Sequence, residues 1–396
     1  MDILSIKNGD IPFDILSWLP TETLLEMRCV SKEWYQLILD RSFVQEQFQK
    51  TGLTLSGFIF QENYQSCIDD IRTFSYISVN ADSKVHKMVI DFLPEDVVIL
   101  ASCNGLVCCR SCFPTQHPTI YVCNPFFKKW VSFEVPQLDK RSNIALVFDP
   151  IRDPINTSTN FKIVRIQQLE NEQEERYYTF KTYSAETGAW KESNEVCYSN
   201  GNLSKNKGIY AKGTLHWLTD SDQILTFDTE KELSLLIPSP IPAMEVFINV
   251  PGTCIGESKG LLHFIMICEY GIIVWCLEDY FETKWMLKHS KRLQVIEEEN
   301  PKMFFKLYNS TQHKVVKGMD PWINPIAFKD EVLLMRVYGI FYSYHTETGK
   351  VVEVCSLNSL GPNPWADPSV LPYSLSLVPL DVSPSKSDSN SSRNPS

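Results

Sequence analysis

One hairpin recurs along this chain, as "LASCNGLVCC", "IYAKGTLHWL", "IGESKGLLHFI" and "IAFKDEVLLMR". In each, a tight turn leads into a hydrophobic strand, at Asn104-Gly105, Lys212-Gly213, Lys259-Gly260 and Lys329-Asp330. Asn-Gly readily adopts the positive backbone angles of a two-residue hairpin; the lysine-led turns signal less singly and gain weight by recurring. A second hairpin unit appears in step: "IYVCNPFFKKWVSF", "TFKTYSAETGAWKES", "ILTFDTEKELSLL", "IIVWCLEDYFETKWML" and "FYSYHTETGKVVEV". Two hairpins in succession make a four-stranded antiparallel sheet. Repetition at roughly 45–70 residues is the spacing of propeller blades, which bury their faces only by stacking. Segments 98–136, 143–193, 207–237, 253–289 and 322–355 read as such blades, the second with "FDPIRDPINTSTNFKIVRI" in place of a tight first turn. A sixth is expected from "GFIF", "FSYISVN" and "KMVIDFL", completed by "YSLSLVPL" from near the C-terminus. That closure would leave no sheet edge exposed. The expected fold is therefore mainly β, a propeller of six blades with four antiparallel strands each.

The front of the chain obeys another period. From Asp10 to Lys50 the apolar positions recur helically, punctuated by Pro20, with Thr21, Ser31 and Ser42 placed as helix N-caps. Gly52 ends the section. A helical unit of about forty residues is near the lower limit for folding alone. Its apolar residues, among them Leu24, Leu25, Met27, Val30, Trp34, Leu37 and Ile38, fall on more than one helix face. The leftover face either packs against the side of the propeller or meets a partner.

The stretch "IPFDILSWLPTETLLEMRCVSKEWYQLILDRSFVQEQF" (11–48) resembles an F-box, the adaptor-binding motif of substrate receptors in cullin-type ubiquitin ligases. The Leu-Pro, Leu-Leu, Arg-Cys-Val-Ser-Lys and Trp elements fall in order at that motif's spacings. Farther on, "SCNGLVCC", "NPFFKKW", "FKIVRI", "KGTLHWL" and "ILTFDTE" are similar, in order, to plant F-box-associated (kelch-like) propeller domains. The resemblance implies a three-helix F-box over 1–50 and a propeller over 51–382; the low-complexity remainder, 383–396, reads as a disordered tail. It also implies partners: a Skp-type adaptor, through it a cullin–RING ligase, and a target protein held for ubiquitination. The adaptor contacts it implies are Pro12, Ile15, Leu16, Leu19, Pro20, Leu24, Leu25, Val30, Ser31 and Trp34. One element departs: the first Leu-Pro pair of the motif aligns with Lys7-Asn8, so either the first helix is shortened or Pro12 sits in its first turn, where proline is tolerated.

Composition narrows the remaining options. A net charge of −11 with no Lys/Arg cluster argues against a nucleic-acid partner. "MDILSIKNGD" lacks the basic and apolar regions of a signal peptide, and the most apolar stretch, "GLLHFIMICEYGIIVWCL", is too short and too interrupted for a membrane span. A cytoplasmic or nuclear protein is expected, its twelve cysteines reduced and mostly packed as small hydrophobes. Cys109-x-x-Cys112, with His117 and Cys123 beyond, lacks the second pair of a strong zinc pattern, and an odd separation on a strand points the two thiols to opposite faces. No phosphate loop, nucleophile elbow or His-Glu-x-x-His helix occurs, so no metal, cofactor or catalytic role is expected. Neither a Gly-Gly doublet nor a Trp-Asp dipeptide marks standard kelch or WD repeats. Two other readings stay open: a free-standing propeller, a lectin or scaffold whose helices only brace the ring, and a propeller hydrolase.

Strand order separates the two ends of such a propeller. Turns after the first and third strands of a blade emerge on one end and are mostly tight here, the first turn of the second blade excepted; connections at the other end are long, notably at 194–206, 238–252, 290–321 and 356–372. Long loops on a rigid scaffold are where binding residues concentrate. Tyr198, Phe247, Phe304, Phe305, Tyr308 and Trp365 are the target-binding candidates, although "KMFFKLYN" also reads as core.

Overall fold

Proline and cap chemistry divide the front of the chain into short helices. The computed structural model describes residues 10–61, 74–79, 90, 92–113, 115–135, 138, 143–155, 158–203, 208–241, 247–313, 322–360 and 368–380. It opens with α1 (Asp10–Leu16), α2 (Thr21–Met27), α3 (Lys32–Ile38) and α4 (Arg41–Thr51), four helices rather than three. Pro12 lies in the first turn of α1 as described. Ser31 caps α3, its hydroxyl accepting from the Trp34 N–H at 3.2 Å. Asp40, not Ser42, caps α4: its carboxylate accepts from the Ser42 and Phe43 N–H groups at 2.9 and 3.3 Å. At α2 the cap position is Pro20 rather than Thr21, and no side chain fills it. Gly52, at φ 64°, closes α4 with its N–H on the Phe48 carbonyl, in a conformation that costs glycine little.

Strands follow: β1 (Gly57–Gln61) and β2 (Phe74–Ser78); β3 (Val97–Cys103), β4 (Leu106–Ser111), β5 (Thr119–Asn124) and β6 (Lys129–Glu134); β7 (Asn143–Val147), β8 (Lys162–Glu170), β9 (Arg176–Ser184) and β10 (Ala189–Tyr198). Then come β11 (Ile209–Ala211), β12 (Thr214–Leu218), β13 (Gln223–Asp228) and β14 (Leu233–Pro238); β15 (Gly252–Ser258), β16 (Leu261–Cys268), β17 (Gly271–Asp279) and β18 (Lys284–Lys291). Helices α5 (Leu293–Glu299) and α6 (Leu307–Thr311) precede β19 (Ile323–Lys329), β20 (Val332–Val337), β21 (Ile340–His345) and β22 (Val351–Ser356); α7 (Leu357–Leu360) and β23 (Ser369–Tyr373) end the order. The turns take the positive angles that a two-residue hairpin requires: Asn104 and Gly105 sit at φ 45° and 85°, Lys212 and Gly213 at 44° and 93°, Lys259 and Gly260 at 52° and 74°. The fourth lies one residue later than expected, on Asp330 and Glu331 at φ 47° and 63°.

Each group of four is an antiparallel meander in chain order, but the sheets do not divide into six blades of four. Three sheets have four strands, one has eight and one has three. Four sheets thus carry four strands or more. The eight-stranded sheet arises because β15 and β19 pair in parallel at Gly256↔Phe328 and Glu257↔Lys329. The three-stranded sheet is β2-β1-β23, so the front strands do pair with a segment from near the C-terminus, though through 369–373, which shares only Tyr373 with "YSLSLVPL". Most of "KMVIDFL" and the tail 383–396 lie outside the described residues. Burial follows from stacking: β4 and β20 are buried throughout, whereas β6 and β14 alternate with solvent. Strands β23, β3, β7, β11, β15 and β19 adjoin in turn around a central channel of about 1060 Å³.

The helices join this body rather than stand beside it. Leu16, Leu24, Ile38, Phe43 and Val44 form one core cluster with Leu106, Val122, Phe148, Ile163 and Leu377.

Candidate functional site

The front helices have two faces of opposite character. Inward, Leu24 and Ile38 are fully buried and Leu16 nearly so, and Phe13 meets Phe43 edge to face at 5.3 Å. Outward, Ile15, Trp18, Val30 and Tyr35 are 61, 62, 67 and 50% exposed. Of the expected adaptor contacts, Ile15, Pro20 and Val30 are exposed, and Leu19, Leu25, Ser31 and Trp34 are half-buried. Leu16 and Leu24 are buried instead, within the core cluster that the helices share with the propeller. The side chain of Pro12 lies outside the described residues. Trp18 and Tyr35 are not among the contacts the motif implies, because each falls beside, not on, the matching stripe; a large aromatic off the buried stripe is the sequence signal for both. Lys50 fixes Trp18 from behind, its ammonium 5.4 Å from the ring centre and 3.5 and 3.1 Å from the Asp14 and Glu46 carboxylates.

Polar contacts seat this module on the short-turn end of the propeller. Gln45 donates to the Pro150 carbonyl at 2.7 Å and accepts from the Ile155 N–H at 2.9 Å, both buried. Arg41 donates to the Ile155 carbonyl at 2.6 Å, and the Arg28 guanidinium lies 4.8 Å over the Phe126 ring. Beyond α4, the Leu55 N–H donates to the Asp330 carboxylate at 2.7 Å, and the Ser56 hydroxyl to Glu22 at 2.6 Å. Burial pushes the Asp330 carboxyl above its ordinary range, against the pull of Lys329. Lys329 itself is paired with Glu257 at 2.7 Å, across the β15–β19 seam. Phe48, Gly52 and Leu53 line the channel beside them, so the helices approach its short-turn mouth.

The opposite end carries the long connections. Tyr198 and Phe305 are 63 and 69% exposed there, and Phe247 and Tyr308 are half-buried. Phe304 is a correction: it is fully buried, edge to face with Tyr342 at 5.0 Å, in a cluster with Leu293, Ile296 and Leu307. The "KMFFKLYN" segment splits by residue, Phe304 inward and Phe305 outward. Trp365 lies outside the described residues. Loop aliphatics and turn tyrosines complete the surface: Ile248, Val250, Tyr270 and Tyr338 are all exposed. Among the described residues no group of three His, Cys, Asp or Glu is placed to hold a metal, and Cys109 and Cys123 are fully buried. No helix among them is long and apolar enough to cross a membrane.

Comparison with known proteins bears on both ends. Residues 13–46 match the F-box domain, and residues 75–310 match the family described as F-box protein At3g26010-like, beta-propeller. The chain is 24% identical to F-box protein At5g07610 of Arabidopsis thaliana over 384 residues, covering 89% of this chain and 86% of that protein. It is also 24% identical to F-box protein At5g49610 of the same plant, covering 74% and 81% of the two chains. Because the propeller family spans more than half of the sequence and an F-box precedes it, the chain belongs to the F-box proteins with an At3g26010-like β-propeller.

Proposed function

We propose that this protein is the substrate-recognition subunit of an SCF-type (Skp–cullin–F-box) ubiquitin ligase, working in the cytoplasm or nucleus. Residues 1–50 would bind a Skp-type adaptor, and through it a cullin–RING ligase, while residues 51–382 hold a target protein. The observation that carries this reading is the exposed apolar set Ile15, Trp18, Val30 and Tyr35, which lies within the F-box match. Four large apolar side chains left in water on so small a module call for a partner surface. Its own part would be proximity, raising the local concentration of target lysines at the ligase without covalent chemistry. The helices also brace the propeller, through Gln45 and Arg41 of α4, Arg28 and the inward residues of α1 to α3, but Ile15, Trp18, Val30 and Tyr35 on the outward face stay exposed.

Co-expression with a Skp-type adaptor tests this. Ile15→Asp with Val30→Asp should abolish adaptor capture, because the complex would bury unpaired charges, while the unfolding temperature stays unchanged. Wild-type capture by that double variant sinks the assignment. Leu24→Asp is the wrong probe, since Leu24 is core and the variant would unfold.

A further inference from the structure

The hairpin of β8 and β9 ends in "ENEQEER" (170–176), four glutamates and one arginine at the long-loop end. Its backbone is held: the Asn171 side-chain oxygen accepts from the Gln173 and Glu175 N–H groups at 3.0 and 2.9 Å, and the Asn171 N–H donates to the Glu175 carbonyl at 3.0 Å. Arg176 pairs with Glu170 at 3.7 Å. It also acts on Asp220 of the neighbouring β12–β13 turn, whose carboxyl is held below its ordinary range by bonds from Asn202 first and by Arg176 in addition. The one cation of the tip is thus shared, and Glu172 and Glu174 have no ion-pair partner among the described residues. At the helix-bearing end charges pair instead, Arg152 with Glu230 at 2.8 Å, Lys191 with Glu232 at 2.7 Å and Lys259 with Glu347 at 2.9 Å. Next to the acidic tip lies an apolar row. Leu169, Tyr177 and Tyr198 stand opposite one another across β8, β9 and β10, so their side chains share one face, with Val196 two residues along β10. The adjacent row, Gln168, Tyr178 and Cys197, turns the other way, and Tyr178 and Cys197 are buried there. Leu169, Val196 and Tyr198 are 37, 41 and 63% exposed, and the Tyr177 and Tyr198 rings lie 5.8 Å apart.

An apolar sheet face left in water calls for a cover, and the charge beside it selects one. Glu172 follows Leu169 by three residues, a span of at most about 10 Å, and the screening length at physiological salt is about 8 Å. The carboxylates therefore act on whatever covers the row. An acidic segment is repelled, and a purely apolar one strips water from the glutamates without replacing it. A basic segment answers both demands, because lysine and arginine stems are apolar along their length and cationic only at the tip, and a cation over a tyrosine ring is itself attracted. We propose that the face formed by Leu169, Tyr177, Val196 and Tyr198 docks a lysine- or arginine-bearing segment of the target protein, its cations toward Glu172, Glu174 and Glu175 and its apolar side chains on the row. The role of that segment as a target rests on the substrate-receptor reading; its charge rests on this blade alone.

The test is selection of a random displayed peptide library on the full chain at about 0.15 M salt, with capture of a Skp-type adaptor measured in parallel. Enriched peptides should carry Lys or Arg beside an aromatic or aliphatic residue. Glu172→Gln with Glu174→Gln should weaken the best peptide at least about fivefold, and Tyr198→Ala about tenfold. Glu186→Gln with Glu282→Gln removes the same charge from turns at the helix-bearing end and should leave its binding unchanged. Raising the salt to about 0.5 M should shrink the effect of the first pair and spare that of Tyr198→Ala. All of these side chains are exposed, so unfolding temperatures should stay equal. Enrichment without basic residues, no enrichment, or a best peptide that responds to only one of the glutamate pair and Tyr198→Ala overturns the basic occupant. A best peptide indifferent to both binds elsewhere, and the proposal falls. Failure of adaptor capture while the peptide still binds would instead remove the receptor reading and leave this surface standing.

Discussion

Between β15 and β19 only a hydrogen fits on the Cα of residue 256, since a Cβ there would stand 2.1 Å from the Phe328 carbonyl oxygen. That oxygen is backbone and cannot swing away without parting the parallel pair that fuses the two meanders. Gly256→Ala should therefore lower stability by about 1–3 kcal/mol, read as a lower urea midpoint at unchanged slope. His216 is the other single residue with a measurable signature. Fully buried, it shares its ring nitrogens between the Ile209 carbonyl at 3.1 Å and the Tyr280 hydroxyl at 2.9 Å. A carbonyl only accepts, so Nδ1 carries the proton and Nε2 accepts from the tyrosine. Burial pushes its pKa from 6.5 down to about 4. In the unfolded chain the imidazole takes a proton below its ordinary pKa, while the folded form refuses it until pH falls to about 4. Its contribution is thus complete above pH 6.5 and is lost between there and pH 4, by about 3 kcal/mol in all. Burial lowers His263 and His289 in the same sense. Urea midpoints measured from pH 7 to pH 5 should fall for the wild type and fall less steeply for His216→Gln. Equal slopes would mean that the ring is already solvated.

At the scale of elements, the helix that matters most is α4, because it belongs to both modules. Phe43 and Val44 enter a core with Leu106 and Phe148, and Gln45 occupies a buried carbonyl and a buried N–H of the β7–β8 connection. Gln45→Ala leaves both of those groups without a partner and should cost about 2–4 kcal/mol. A fragment ending at Thr51 exposes the faces of Phe43, Val44 and Leu24 and should lack helical circular dichroism and adaptor binding when isolated; a fragment that folds and binds would show that the shared core is dispensable. The helices themselves were legible: their period, the Ser31 cap and the Gly52 stop are local signals. The cap of α4 was misplaced because Asp40 and Ser42 both have capping chemistry, and the carboxylate two residues earlier reaches two N–H groups at once. A boundary at residue 50 was legible as a change of period but does not divide the core. Which side of α4 meets which loop depends on residues more than a hundred positions away, and no local pattern encodes that.

For the whole molecule, the recurring hairpins told in advance where the strands lie and which turns share an end, because strand period and turn chemistry are local. Sheet count was not legible: whether β15 and β19 stay apart or pair rests on the close approach that Gly256 permits. The fate of "KMFFKLYN" was not legible either, since Phe304 and Phe305 lie in the turn between α5 and α6, where no strand or helix period says which ring goes inward. The arrangement of ends has a consequence for function. Gln45, Arg28 and Leu55 fix the helices to the short-turn end, at Pro150, Phe126 and Asp330, which leaves the long-loop end facing away from the F-box helices. On the proposed function, a target held there would stand across the thickness of the propeller from an adaptor on the helices, at a distance set by packed sheets rather than by a linker. Tyr198→Ala with Phe305→Ser removes two exposed aromatics from that end and should weaken target capture about thirtyfold or more if they are anchors. Phe281→Ser is the matched control: Phe281 is 88% exposed, in the short turn between β17 and β18 at the helix-bearing end. Proximity labelling with the proteasome blocked, run on the wild type and both variants, reads the difference. Targets should vanish with the first variant and persist with the second, adaptor capture being equal in all three. The reverse result would mean that the target sits on the same end as the adaptor, beside α4, and that the long loops serve only to cover the ring.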